Sequence, residues 1–537
     1  MIDFLSHHSP ALIVAVPLLG AFLTPLIGKI NDKLRNIFVI IITVITSILI
    51  IILLNEVTNS GIITYVFGGD KTVIGSGASA YAIRILFEID AMNALMALIA
   101  AILPLAAVIY SWGFMKEETG QDKYYTLILL MTTGMLGMIL TGDLFNFFVF
   151  LEVTSIASCA LIAFRIDKKL SVQAGFKYIV ISSISALFVL FAIGIFYGQY
   201  NALNMAVVAN NISYNLLDKI ALVLLIGALG MKSGLAPMHM WIPDAYARSP
   251  ASVTIVLVGT TLAAIYGGLR VIFTIYGKQL FTMVKQIGDT IITPSILLGA
   301  ILIALAVLSI FIGVFLALKR SDFTKMIAYA AVAEIGYMFL AIGSAIITIS
   351  SSDNGILMSE SGLLALKAGI FHILNDALDI GLLFLVAGAI YLKTKQTSLN
   401  KLGGLARNMK YTTIFFLIGL LAVSGMPPMN GFASKLLIYQ STYQISPILS
   451  IIAILCSIML LAVFVKVFQS IFLGPELPNL KHIKEAPKSM LIAMAFIASI
   501  IVFIGLFPNI IIDNLVAPAA EALQSTTNYI YAIAGGV

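Results

Sequence analysis

The sequence predicts an all-α integral membrane protein of about fourteen transmembrane helices, with inverted five-helix repeats and two broken helices, the seventh and the twelfth. Three observations carry this. Of 537 residues, 60% are hydrophobic and only 10% are charged, against about 25% charged in an ordinary soluble domain. Apolar runs of about 20 residues, enough to cross a bilayer, recur along the whole chain. Lysine and arginine concentrate in alternate loops, as the positive-inside rule requires.

The first two runs lie near 9–28 and 36–55. They follow an N-terminus, MIDFLSHHSP, that lacks a basic n-region, so the first reads as a retained helix rather than a cleaved signal. Residues 56–89 contain the alternating, glycine-rich TYVFGGDKTVIGSGASAYAIRI and read as an outer β-hairpin. With the third run, 90–114, these make an N-terminal unit, 1–123. The runs 124–142, 144–164, 172–198, 216–241 and 250–277 form a first repeat, 124–277. The runs 294–318, 324–348, 359–392, 411–443 and 446–475 form a second, 294–475. The run 487–515 opens a C-terminal unit, 487–537.

The eleventh and twelfth runs are too long for one straight span. SGLAPM in the seventh and GMPPMNG in the twelfth should interrupt their helices, because Pro removes a backbone donor and Gly loosens the coil. The two broken helices are five apart. An odd offset reverses the direction through the membrane, which marks an inverted-topology repeat. Glu152 and Glu334, at like depths in helices five and ten, keep the same offset.

Loop charge tests the count. Lys71, Arg84, Lys219, Lys278 and Lys285 fall on one side. Lys177, Lys232, Arg270, Lys367, Lys435 and Lys466 fall within spans. The remaining 20 of the 31 basic residues share the other side. That side is the inner one, which accounts for the net charge of +6 without an acidic partner. Both termini are then outside, in the plasma membrane of a prokaryote.

An ionisable group at bilayer depth costs at least roughly 2.5–3.5 kcal/mol, so such residues are the candidate site. Lys232 and Lys435 each flank a helix break. Glu152 is the expected partner of Lys232, and Glu334 of Lys435. Opposite charge favours both ionised forms while desolvation opposes them, so separating a pair would release a proton. Lys367, His372, Asp376 and Asp379 lie close to one face of helix eleven, as a relay would need. Secondary candidates are His239 after the first break, Lys177 on helix six, Asp143 as a helix cap or entrance, and Lys466, which also reads as snorkelling. Each has a plainer reading as a static pair, a cap or a satisfied core group. Tyrosine and methionine read as packing and lipid-facing material.

Other chemistry is not indicated. There is no Gly-rich phosphate loop, no Cys cluster for iron–sulfur, and no His pair at haem or zinc spacing. Cys159 and Cys456 both lie in apolar runs, so no disulfide is expected. Nothing points to nucleic acid.

The stretches TGDLFNFFVFLEVTSIAS, GMKSGLAPMHMWIPDAYARSP, KRSDFTKMIAYAAVAEIGYMF, FHILNDALDIGLLFLVAG and GMPPMNGFASKLL together resemble the antiporter-like proton-pumping subunits. These occur in respiratory complex I, in membrane-bound energy-converting hydrogenases and in Mrp-type sodium/proton antiporters. The GDLFN…FVFLE wording is most similar to the Mrp D and hydrogenase branch. The resemblance implies an ion path along a central polar axis, with Glu152, Lys232, His372 and Lys435 at the family's positions on helices five, seven, eleven and twelve. It implies partner membrane subunits, H⁺ or alternatively Na⁺ as cargo, and no cofactor in this chain, with iron–sulfur or NiFe centres in partners. Two departures stand out. Helix eight has Ala263 and Ala264 where a central Lys or His is usual. Helix eleven reads DALDI, so Asp376 replaces a His and Ile380 a Lys. Three readings stay open: a pumping subunit of a redox complex, a component of a Na⁺/H⁺ antiporter without a redox partner, and a non-conducting scaffold.

Overall fold

The computed structural model describes residues 2–67, 85–277, 280, 285–287, 290–352 and 355–534. Lys71, Arg84 and Lys278, with the centre of the expected hairpin, lie outside the described residues. The helices are α1 (Ile2–Gly28), α2 (Asp32–Ser60), α3 (Ala91–Phe114), α4 (Gln121–Leu140), α5 (Leu144–Ile162) and α6 (Lys169–Tyr200). There follow α7a (Leu216–Ser233), α7b (Ile242–Arg248), α8 (Ala251–Leu269), α9 (Pro294–Lys319), α10 (Phe323–Ile347) and α11 (Glu360–Thr394). The chain closes with α12a (Lys410–Val423), α12b (Asn430–Ile445), α13 (Pro447–Phe468), α14 (Lys488–Leu506) and two short helices, α15 (Ala517–Gln524) and α16 (Thr526–Ala534).

Thirteen helices among the described residues are long and apolar enough to cross a membrane. The remaining expected span, 411–443, is the pair α12a and α12b, each too short alone. Among the described residues, three antiparallel strand pairs decorate the ends: β1 (Ile63–Val66) with β2 (Leu86–Ile89), β3 (Lys285–Ile287) with β4 (Thr290–Ile292), and β5 (Ile349–Ser352) with β6 (Gly355–Met358). All three join helix ends on the side opposite the lysine-rich loops. These two sides are the hairpin face and the basic face below.

Both expected breaks are present and alike. α7a ends at Gly234, with φ +74°, and α12a ends just before Gly425, with φ +69°. A positive φ is a conformation glycine adopts without a Cβ clash. Ala236–Pro237 and Pro427–Pro428 are cis. The long eleventh run is a single unbroken helix, α11, of 35 residues, roughly 52 Å long at 1.5 Å per residue. It contains no proline, so nothing removes a ladder donor, and it is longer than the roughly 30 Å of a hydrocarbon core.

Layering follows burial. α8, α10 and α11 are buried almost throughout and form the axis of the bundle. α1, α2, α6, α9 and α13 expose large apolar side chains such as Phe22, Ile51, Phe191, Phe315 and Ile458. In water such a surface would be a liability; in a bilayer it is the solvent-facing side. α9 packs along α10, and α11 packs against α10, α12b and α8.

Candidate functional site

The break in helix twelve ends α12a and leaves backbone carbonyls without their intrahelical donors. Lys435, near the start of α12b, takes one of them: its Nζ donates to the Val423 carbonyl at 2.7 Å and to Glu334 Oε1 at 2.8 Å. The ammonium also lies 4.6 Å from the centroid of the Tyr337 ring. Glu334 comes from the middle of α10. Its other oxygen, Oε2, is 2.9 Å from His372 Nε2 on α11. His372 Nδ1 is 3.1 Å from Ser434 Oγ. One carboxylate thus bridges a lysine and a histidine from three helices, and none of the three side chains is more than 2% exposed.

Along α11 the polar file continues toward the basic face. Asp376 is buried, and its Oδ1 has no hydrogen-bond partner. Asp379 Oδ1 accepts from Asn430 Nδ2 at 3.0 Å, and Asn375 Nδ2 donates to the Asn430 carbonyl at 3.0 Å. Asn430 is the first residue of α12b, so Asn375 and Asp379 brace the break. In the other direction Lys367 is half-buried and lines a cavity of about 480 Å³ with Glu360, Ser361 and Gln444.

In the first half, Lys232 sits in the last turn of α7a, fully buried. Its Nζ donates to Ser155 Oγ at 2.6 Å, Tyr178 OH at 2.9 Å and Ser182 Oγ at 3.2 Å. The expected contact with Glu152 is not formed. Ser155, three residues further along α5, occupies that place, while Glu152 is only half-buried and has no ion-pair partner among the described residues. Three neutral oxygens hold this ammonium, where a carboxylate holds Lys435.

The remaining candidates are scattered. His239 is buried in the turn Met238–Trp241 after the first break, its ring facing the Pro237 carbonyl without a well-formed bond at Nδ1. Lys177 is exposed and pairs with Asp244 at 2.6 Å; Lys325 meets the same carboxylate at 3.1 Å. That trio ties α6, α7b and α10 together near the basic face rather than joining the buried file. Asp143 caps α5 on the hairpin face, accepting from the Asn146 N–H at 2.7 Å. Burial pushes its carboxyl up to about 6, against the backbone N–H groups that hold it down. Lys466 is exposed on α13 beside Val465 and Ile458, apart from the polar axis.

On the basic face a cavity of about 310 Å³ opens among Arg165, Lys168, Arg248, Ser249 and Tyr391. Tyr246 and Thr254 line its inner wall. Tyr246 OH is 2.7 Å from Thr261 Oγ1, deeper along α8. Hydroxyls therefore lead inward just short of the alanines Ala263 and Ala264.

Sequence reasoning missed the neutral members of the site: Ser155, Tyr178, Ser182, Tyr337, Ser434 and Asn430. Reading tyrosines as packing material was wrong for Tyr178 and Tyr337, whose rings and hydroxyls face ammonium groups or buried carbonyls. One signal was available: Tyr178 and Ser182 are one helical turn apart on α6.

Residues 141–461, more than half of the chain, match the family described as "NADH:quinone oxidoreductase/Mrp antiporter, TM". Residues 76–125 match "NADH-Ubiquinone oxidoreductase (complex I), chain 5 N-terminus". The N subunit of NADH-quinone oxidoreductase from Desulforudis audaxviator is 30% identical over 80% of this chain and 83% of its own length. The D subunit of a Na⁺/H⁺ antiporter from Bacillus subtilis is 28% identical over 97% of this chain and 98% of its own. A chain of the membrane-bound sulfane sulfur reductase, an archaeal respiratory membrane complex, superposes with a TM-score of 0.81 at 26% identity, covering 98% of this chain and 99% of that one. This protein belongs to the NADH:quinone oxidoreductase/Mrp antiporter family and is an antiporter-like, ion-translocating, multi-pass membrane subunit.

Proposed function

We propose that this subunit carries protons between the basic face and the hairpin face, as one membrane component of a redox-driven complex of hydrogenase or complex I type. The observation that carries the reading is the Glu334 carboxylate shared between Lys435 and His372 beside a helix break. With His372 neutral, the trio has no net charge; with His372 protonated, it has one positive charge. In a dry site a second uncompensated cation is strongly disfavoured. Protons on His372 and Lys435 therefore compete, and loading one favours release from the other.

The basic-face cavity, with Tyr246 and Thr261 behind it, is the inlet. Lys232 is the first-half station, with Glu152 modulating it by charge at a distance. His372 and Asp376 form the relay, Glu334 and Lys435 the switch, and Lys367 the route outward. The two halves then act as inverted repeats, 124–277 and 294–475. Partner subunits supply the driving energy and hold the iron–sulfur or NiFe centres. The membrane is the plasma membrane of a prokaryote, with both termini outside.

A second reading has its own support. Asn375 Oδ1, Asp376 Oδ1 and Asn430 Oδ1 are buried acceptors without hydrogen-bond partners, and hard oxygens are ligands for Na⁺ as well as receptors for H⁺. The purified complex in sealed vesicles separates the readings when proton uptake and sodium-tracer uptake are followed together. Lys232→Ala and Glu334→Gln should each abolish driven proton movement in an intact complex. Unchanged movement in both variants would leave the scaffold role.

A further inference from the structure

The hairpin face carries a second buried cluster of charge, apart from the lysine, histidine and carboxylate groups around the two helix breaks. Arg270 lies at the end of α8, where the helix widens into a π-helical turn over Arg270–Ile275. Such turns occur disproportionately at functional sites. Its guanidinium donates to Asp90 Oδ1, Asn93 Oδ1 and Tyr266 OH. Asn93 Nδ2 in turn donates to Tyr266 OH at 2.8 Å. Asp90 and Asn93 also form the capping box of α3. Arg270 and Asp90 thus neutralise one another, with Asp90 Oδ2 left unpartnered.

Glu88 does not join that pair. It lies on β2, 0% exposed, and neither carboxyl oxygen has a hydrogen bond of ordinary geometry. The groups facing it are Tyr266 on α8, Arg270 just past its end, Asp90 from its own segment and Tyr529 from α16. Thr64 pairs with it across the sheet. Gly142, between Thr141 and Asp143, lies so close that a Cβ there would stand 3.1 Å from Glu88 Oε2. Tyr529 closes the site. Its ring lies 4.7 Å from the Arg270 guanidinium, and its buried hydroxyl turns toward the carboxyl without a well-formed bond.

Ionised, Glu88 would be a buried anion with one weakly placed hydroxyl donor and with its nearby cation already neutralised. Protonated, it would be a buried O–H without a well-placed acceptor. It is poorly satisfied in both states, which is costly for a structural residue and suits a proton that must be exchanged. Burial also pushes its carboxyl well above the usual carboxylate range, with Arg270 opposing.

We propose that Glu88 is a proton-binding station at the hairpin-face end of the first repeat, lidded by Tyr529 of the C-terminal segment. The proposal rests on proton translocation by this subunit. Infrared difference spectroscopy of the purified complex across a pH step should show the C=O stretch of a protonated carboxyl that disappears in Glu88→Gln. The same band should persist in Lys232→Ala and Glu334→Gln, which disable the membrane-centre path. Driven proton uptake by Glu88→Gln in vesicles should fall at least tenfold. Tyr529→Phe removes only the facing hydroxyl, so it should keep the band and shift its frequency, a readout that remains if Glu88→Gln fails to assemble. A band that survives Glu88→Gln, a band unmoved by Tyr529→Phe, or wild-type uptake by Glu88→Gln would overturn the station. Wild-type uptake by Lys232→Ala and Glu334→Gln would instead overturn proton translocation itself, whatever Glu88 does.

Discussion

Glu334→Gln tests the switch with the smallest change of shape. The amide keeps the volume of the side chain and can still accept at one oxygen. It removes the negative charge that lies 2.8 Å from the Lys435 ammonium and 2.9 Å from His372. Lys435 is left with the Val423 carbonyl and the Tyr337 ring. Removing one partner of a buried ion pair costs about 3–5 kcal/mol, because the other charge stays buried and uncompensated. At 1.36 kcal/mol per decade, that corresponds to a factor of roughly 10²–10⁴ in an equilibrium constant. Proton uptake by the reconstituted complex should fall by at least two decades. The companion double variant, Glu334→Leu with Lys435→Met, removes both charges. Such replacements are often neutral or stabilising, so this variant should recover thermal stability and remain inactive. If Glu334→Gln pumps within a few-fold of the wild type, or the double variant pumps, charge at this position is not part of transport.

Lys232 depends on hydroxyls, each worth about 1.5–3 kcal/mol to a charged donor; Tyr178→Phe and Ser155→Ala should each slow uptake roughly 10–100-fold in the same vesicles, and more together. A methyl at Gly431 would run into the Ala422 carbonyl across the break, backbone against backbone, so Gly431→Ala should destabilise by about 1–3 kcal/mol or more, seen as a lower melting temperature of the complex. Asp143 is held near 6 against an ordinary value of 3.8, so its ionisation is penalised only in the folded state. The associated stability is present below about pH 4 and is lost as pH rises through about 6, an effect of order 2–3 kcal/mol. Asp143→Asn retains the cap and should flatten that part of the stability–pH profile. An unchanged profile would place the titration elsewhere.

Much of the architecture was legible because hydrocarbon imposes simple rules. A span needs an apolar run, a loop carries its charge bias, and a proline leaves a gap in the ladder. These rules gave the spans, the breaks at SGLAPM and GMPPMNG, and the lysines beside them. They left the shape of α11 open, because run length alone does not decide how a helix accommodates its excess length when no proline is present. They also misjudged the direct contact of Glu152 with Lys232, because a shared depth on two helices says nothing about which rotational face each residue presents. Arg270 was seen only as a basic residue within a span, and Glu88 only as part of a loop.

Linear pattern showed which ionisable groups lie at bilayer depth, since run length and residue type are read directly from the chain. Which of them touch was decided by tertiary structure. The rotation and crossing of α5, α6 and α7a gave Lys232 three hydroxyls, while those of α10, α11 and α12b gave Lys435 a carboxylate. Contacts at hydrogen-bond range depend on ångström-scale placement of helices distant in sequence, and periodicity within one helix carries no information about its neighbour.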